Sequence, residues 1–173
     1  MRKFIGLALA AALACSAAAF SACEAEEQLP YPVSYVEIMG QDHSEVFAPS
    51  GAVLLRSEEE LGAFRERFEE SLLFGDQIPE AFAEELAKYD DAFFEESELL
   101  LLCIGNPYDC YSSEVVSVER KEDAVIVGVE VEGQISGEGM CPAVEGEDFC
   151  FIELPAGFCG ERELRVEEQT VVD

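Results

Sequence analysis

The sequence predicts an α+β fold in which two or three N-terminal helices pack on one face of a mostly antiparallel meander sheet. Three observations predict this class: helical spacing of apolar residues over positions 57–97, strand-like patterns after position 98, and polar turns between the later strands. Hydrophobic residues make up 49% of the chain, and twelve Phe and five Tyr can fill a core. A folded domain is therefore expected in spite of the acidic composition.

Two short strands are expected before the main helices. VSYVEIM, residues 33–39, alternates in part between apolar and polar residues. GAVLL, residues 51–55, is a short apolar run that begins with a glycine.

Helix signals follow directly after the second of these strands. Ser57 is a capping residue with Glu60 three positions later, as in a capping box. One apolar face then continues at helical spacing through Leu61, Phe64, Phe68 and Leu72. A second helix is expected near Pro79, with one apolar side formed by Phe82, Leu86 and Tyr89. Asp90 is placed to cap a last short turn.

Strands are predicted for the rest of the chain. LLLLCI, residues 99–104, is a continuous apolar run, which is typical of a strand covered on both faces. Residues 112–119 and 124–131 are joined by Lys-Glu-Asp and predict a hairpin. DFCFIELP, residues 148–155, places Phe149 and Phe151 on the opposite face from Cys150, Ile152 and Leu154. Residues 162–172 predict a final strand.

The N-terminus has the three parts of an export signal. Arg2 and Lys3 precede an uncharged apolar stretch over residues 4–20, and two small residues come just before Cys23. The stretch FSAC resembles the lipobox of bacterial lipoproteins, in which the cysteine receives a diacylglyceryl group. We therefore expect a signal peptide at 1–22, a lipidated Cys23 with a tether at 23–32, and a globular domain at 33–173. The alternative is an ordinary secretory signal with Cys23 as a simple thiol.

The charge of the chain limits its partners. The net charge is −28, and removal of residues 1–22 takes away Arg2 and Lys3 but no acidic residue, which leaves −30. A surface this acidic repels phosphate backbones and anionic lipid headgroups. Nucleic acid is therefore not an expected partner, and contact with a membrane is expected only through the lipid on Cys23.

Catalytic and metal-binding patterns point away from an enzyme. His43 is the only histidine, which rules out histidine-based zinc sites and leaves a single candidate for any Ser/His or Cys/His centre. It lies in a polar stretch without a nucleophile-elbow pattern. Phosphate-binding glycine motifs are absent from the sequence, and no calcium-loop spacing occurs. No enzymatic activity, no metal and no cofactor are expected, although a carboxylate pair in a cleft would leave no sequence signature.

The five cysteines after the tether divide into two groups. Cys103 and Cys150 lie in apolar strands and are expected to be buried and unpaired. Cys110, Cys141 and Cys159 lie in predicted turns or loops, where export would permit oxidation. Any disulfide is expected to join two of these last three.

The segment KYDDAFFEESELLLLCIGNPYDCYSSEVVSVERKEDAVIVGVEVEG, together with the later Gly-Met loop and the strand ending in ELP, resembles the PrcB-type domain. This domain occurs in bacterial lipoproteins and in subunits of surface protease complexes. The resemblance covers about residues 50–170 and implies a non-catalytic accessory or assembly role.

These observations together predict a lipid-anchored accessory or protein-binding module on the outer face of the bacterial cell membrane. Its expected partner is an envelope or surface protein, with a protease as one candidate. The alternative is an acidic lipoprotein that binds a cation or another small ligand, which the charge of the chain suggests.

Overall fold

The computed structural model describes residues 29–39, 44–47, 51–72, 78–106, 111–133 and 146–172. These residues are 52% strand and 27% helix, which confirms the predicted α+β class. In chain order the described elements are β1 (Val33–Met39), α1 (Ser44–Phe47), β2 (Ala52–Leu55), α2 (Glu58–Ser71), α3 (Glu80–Leu86), α4 (Asp91–Glu96), β3 (Ser97–Asn106), β4 (Tyr111–Arg120), β5 (Ala124–Gly133), β6 (Gly146–Pro155) and β7 (Glu163–Val172).

The strands form two sheets, which corrects the prediction of a single meander on one helical layer. The first sheet has the order β1-β6-β3-β2, and the second has the order β4-β5-β7. β6 leaves the meander and inserts between β1 and β3, antiparallel to both. β7 returns to the second sheet and runs parallel to β5. The helices also do not precede the sheet, because β1 comes before all four of them and β2 lies between α1 and α2.

The first sheet is the middle layer between the helices and the second sheet. Its two faces carry separate core clusters, since successive residues of a strand point to opposite sides. Leu99, Leu101, Phe149 and Phe151 pack against the helices, in the helix-facing core. Leu100, Leu102, Cys150 and Ile152 pack against β4 and β5 of the second sheet, in the sheet-facing core. The prediction that residues 99–104 form a strand covered on both faces is confirmed.

The helices begin where their sequence signals predict. Ser57 caps α2, and its side-chain oxygen accepts a hydrogen bond from the Glu60 N–H at 3.1 Å. The Glu60 carboxylate accepts from the Arg56 N–H at 2.7 Å, one residue earlier than in a regular capping box. Asp90 caps α4 by accepting from the Phe93 N–H at 3.0 Å. The predicted apolar faces of α2 and α3 are all buried in the helix-facing core.

A carboxylate ties α3 to the edge of the first sheet. Glu85 accepts hydrogen bonds from Ser34 on β1, from Lys88, and from the Tyr89 hydroxyl at 3.3 Å. Burial acts to raise the pKa of Glu85, but the hydrogen bonds from Lys88 and Ser34 outweigh it and hold the pKa below its ordinary value near 4.5. The ionised form therefore stabilises the docking of α3.

This pKa shift predicts a pH dependence of stability. Because the pKa of Glu85 is lower in the folded state, its contribution is fully present above about pH 4.5 and is lost as the pH falls through the lowered value. The melting temperature of the wild type should therefore fall more steeply below about pH 4.5 than that of Glu85→Gln. Glu84→Gln is the control, since Glu84 is exposed. Identical pH profiles for the wild type and Glu85→Gln would contradict this assignment.

Candidate functional site

A buried carboxylate lies at the end of the two sheets where the β6–β7 connection crosses. Glu98 on β3 is 1% exposed, and it points to the same side as Leu100 and Leu102. Its Oε1 accepts a hydrogen bond from the Cys159 N–H, and its Oε2 lies 3.5 Å from the Arg56 Nε. Oε2 has no hydrogen-bond donor among the described residues. Glu98 thus depends on Arg56 for charge compensation.

The connection between β6 and β7 is held from several sides at this point. The Arg56 guanidinium donates to the Gly160 carbonyl, and Arg162 donates to the carbonyls of Lys121 and Cys159 at 2.9 and 3.4 Å. Gly157 and Gly160 adopt positive φ angles of 75° and 59°, which glycine tolerates without a steric penalty. Arginines from the β2–α2 connection and from the loop itself therefore fix a tight turn over the buried Glu98.

The cysteine of this cluster is not a nucleophile at neutral pH. Cys159 is fully buried, and burial followed by the neighbouring Glu98 carboxylate raises the pKa of its thiol to about 12, with Arg56 and Arg120 opposing. Thiol chemistry requires the thiolate. The hydrogen bond from Cys159 to Glu98 and the ion pair with Arg56 hold the loop in place.

The other predicted site residues fall in two groups. Cys23, His43, Cys110 and Cys141 lie outside the described residues. Cys150 is buried as predicted, whereas Cys103 is only half-buried beside the helix-facing core. Cys159 lies in a loop as predicted, but its thiol is free and fully buried. The expectation that any disulfide uses two of Cys110, Cys141 and Cys159 stays a prediction.

The acidic residues of the described ranges do not form a cluster suited to a metal ion. Among these residues no group of three or more His, Cys, Asp or Glu side chains is placed to hold a metal ion. Within the same part of the chain, every helix is too short or too polar to span a membrane.

One edge of the second sheet is closed by side chains of the first. The Ser113 N–H on β4 donates to Asp148 at 2.9 Å, and the Val115 N–H donates to the Tyr35 hydroxyl oxygen at 3.0 Å. A bulge follows at once, where the register shifts between Val115 and Ser117. Side-chain capping and a bulge both stop another strand from pairing at an edge. The outer edge of β4 is therefore protected.

The opposite edge of the second sheet is open. β7 pairs with β5 on one side and has no strand on the other among the described residues. It is ten residues long, and the register with β5 continues without interruption from Glu163 to Val172. Glu167, Glu168, Gln169 and Thr170 are all exposed. A long, regular and uncapped edge strand is the usual place for another chain to add a strand.

The sequence did not lead us to predict the buried Glu98 cluster or the open edge of β7. Glu98 directly precedes a run of four leucines, and an acidic residue at the start of a doubly covered strand was a usable signal. The open edge of β7 had no signal, because the sequence does not show that this strand pairs in parallel with β5. In comparisons with known proteins, no family model, no curated protein and no solved structure matches the chain.

Proposed function

We propose that this chain is a lipid-anchored protein-binding module on the outer face of a bacterial cell membrane. The observation that carries the proposal is the contrast between the two edges of the second sheet. Side chains cap the edge of β4, whereas β7 leaves its outer backbone groups available. Exposed strand edges are binding surfaces for extended segments of other proteins. The resemblance to the PrcB-type domain suggests the same class of role, with an envelope protease as one candidate partner.

The N-terminal sequence supports attachment through lipid. Two acyl chains on Cys23 would hold the domain at a bilayer, where one chain alone gives only marginal binding. A net charge of −30 after signal removal would repel anionic headgroups, so the protein surface itself contributes no attraction. The roughly ten residues of the tether would then set the domain close to the membrane, where envelope partners lie.

The alternative of a cation-binding lipoprotein has no comparable support from the geometry. The described carboxylates are dispersed along the strands and helices, and two of the three buried ones, Glu98 and Glu85, have partners that offset their charge. Glu98 faces Arg56, and Glu85 accepts from Lys88 and Ser34.

Membrane attachment gives the first test of this proposal. Cys23→Ser should move the mature chain from the membrane fraction to the soluble fraction, because it removes the acylated side chain. Cys15→Ser is the matched control, since Cys15 lies inside the predicted signal peptide and leaves with it. Fractionation with mass spectrometry of the N-terminal peptide gives the readout. An unmodified Cys23 in the native protein would show that the lipid anchor is wrong.

Partner binding is tested in the same cells with a photo-crosslinking residue at Val116. This position is 47% exposed on the β4 bulge and lies on the opposite edge from β7. We expect a discrete adduct with an envelope protein in the wild type and its loss in Cys23→Ser. Absence of any adduct here and at further exposed positions of both sheets would count against a protein-binding role.

A further inference from the structure

The backbone of β7 presents a ladder of unpaired groups to solvent. The Glu163 N–H donates to the Asp123 carbonyl at 3.1 Å, so residue 163 faces the β5 side of the strand. Because successive residues alternate, the N–H and C=O groups of Leu164, Val166, Glu168 and Thr170 point to the open edge. None of these outward groups has a hydrogen-bond partner among the described residues.

The edge is accessible from both faces in its C-terminal half. Leu164 and Val166 pack onto the sheet-facing core, but Glu168 and Thr170, on the same side of the strand, are exposed. β2, the edge strand of the first sheet that contacts β7, has only four residues. An incoming strand could therefore pair with β7 without displacing any packed side chain.

The other edge strands of the two sheets are protected against pairing in ways that β7 is not. In the first sheet, β2 offers little edge for pairing because it has only four residues. At β1, α3 lies close to the edge, and Ser34 donates a hydrogen bond to Glu85. In the second sheet, Asp148 and Tyr35 cap β4. Short strands, covering elements and side-chain caps are the devices that prevent edge pairing. At β7, the first sheet contributes contacts from the short β2 alone, and no side chain of the described residues caps its outward groups.

Charge determines which occupant fits. Glu167 and Glu168 lie in the middle of β7. Glu130 on the neighbouring β5 is paired with Gln169. The basic residue of this strand, Arg165, is engaged by Glu163 and Asp123. A second copy of the chain would place carboxylates against carboxylates, which is unfavourable for neighbouring strands. An extended segment with Lys or Arg at alternate positions would place its charges against these carboxylates.

We propose that β7 is the docking edge of this module and that its occupant is an extended basic segment of another protein, added as a fourth strand to the second sheet. This inference rests on the proposed protein-binding function and specifies the chemistry of the partner. Backbone pairing supplies the affinity, and the carboxylates of β7 and β5 select against acidic segments.

The test uses the purified full chain in mild detergent and a fluorescent peptide of alternating Lys and Val. A second peptide carries the same charges but has N-methyl groups on both its lysines and its valines, so neither of its edges can donate hydrogen bonds. We expect the methylated peptide to bind about tenfold more weakly, the effect of losing one or two net hydrogen bonds. Hydrogen exchange should show new protection at residues 164–170 with the unmodified peptide. Equal binding of both peptides, or protection elsewhere, would overturn the proposal.

A pair of variants separates backbone pairing from charge. Glu168→Pro removes an outward N–H without removing a bond to β5, and should weaken binding about tenfold. Glu168→Ala keeps the N–H, removes the charge, and should weaken binding only about twofold to threefold. If Glu168→Pro does not fold, as judged by its melting curve, the difference in affinity between the two peptides tests backbone pairing without this variant.

Three further outcomes are decisive. A dimer at micromolar concentration in sedimentation equilibrium, with residues 164–170 protected in the absence of peptide, would show that the occupant is a second copy and overturn the proposal. If the peptides fail at β7 while crosslinking from Val116 still finds an envelope protein, the docking edge is wrong and the binding function stands. If the peptide binds at β7 but no adduct forms in cells, β7 can pair with an added strand and the proposed cellular role fails.

Discussion

Phe149→Ala is expected to lower the free energy of unfolding by about 3–5 kcal/mol, the range for truncating a fully buried phenylalanine. Phe149 on β6 is 0% exposed, and among the described residues its ring contacts those of three other phenylalanines. The centroid distances are 5.7 Å to Phe47, 5.8 Å to Phe68 and 4.8 Å to Phe82. These rings belong to α1, α2 and α3, so one side chain connects three helices to the first sheet. Urea denaturation followed by far-ultraviolet circular dichroism measures the loss.

Phe158→Ala is the matched control for this prediction. Phe158 is half-buried in the β6–β7 connection and meets the Tyr31 ring edge-on at 5.2 Å, with the Arg120 guanidinium 5.8 Å from its ring centre. Its loss should lower stability by about 1 kcal/mol, since few contacts of a partly exposed ring are removed. Equal losses in the two variants would show that the aromatic cluster is not the centre of the helix-facing core.

Local signals in the sequence were sufficient to locate the strands and α2, α3 and α4, whereas α1 was not predicted. The side chains of Ser57 and Asp90 bond to the first turns of their helices, so their positions mark the helix starts directly. The alternation in residues 124–131 was equally informative, because Val125, Val127, Val129 and Val131 all face the sheet-facing core. Each of these features depends on residues within a few positions of one another.

The division into two sheets depends on long-range pairing, which local patterns do not specify. β6 carried a clue, since it is apolar on both faces and therefore needs a covered position. β4 and β5 alternate between apolar and polar residues, which suits an outer sheet with one face in solvent. The parallel pairing of β7 with β5 had no such pattern, because β7 is polar over most of its length. The open edge of β7 could therefore not be predicted from the sequence.

The buried cluster at the opposite end of β7 was missed for a related reason. Glu98 and Cys159 are 61 residues apart in the chain, and Arg56 and Gly160 are 104 residues apart. Glu98 also looked like one more surface carboxylate in a chain with 38 acidic residues. Only the pairing of β3 with β6 places Glu98 opposite Leu154, next to the start of the loop that it holds.

Glu98→Ala is expected to lower the free energy of unfolding by about 2–3 kcal/mol, because it leaves the buried Cys159 N–H without an acceptor and removes the partner of Arg56. The loss should stay below that of a fully buried pair, since the Arg56 side chain is 47% exposed and water can solvate it. Glu98→Gln keeps an oxygen for the Cys159 N–H and should lose about half as much.

A second readout follows the Cys159 thiol in the same variants. Burial first, and the Glu98 carboxylate second, raise the pKa of this thiol to about 12, so removal of Glu98 should lower the pKa and loosen the loop that covers it. Iodoacetamide labelling of Cys159 in the native state at pH 8, followed by peptide mass spectrometry, should therefore be slow in the wild type and at least tenfold faster in Glu98→Ala. Cys150 is the internal control, because it is buried between the sheets and lies on a strand that the substitution leaves in place. Fast labelling of Cys159 in the wild type, or unchanged stability in Glu98→Ala, would mean that Glu98 does not hold the β6–β7 connection.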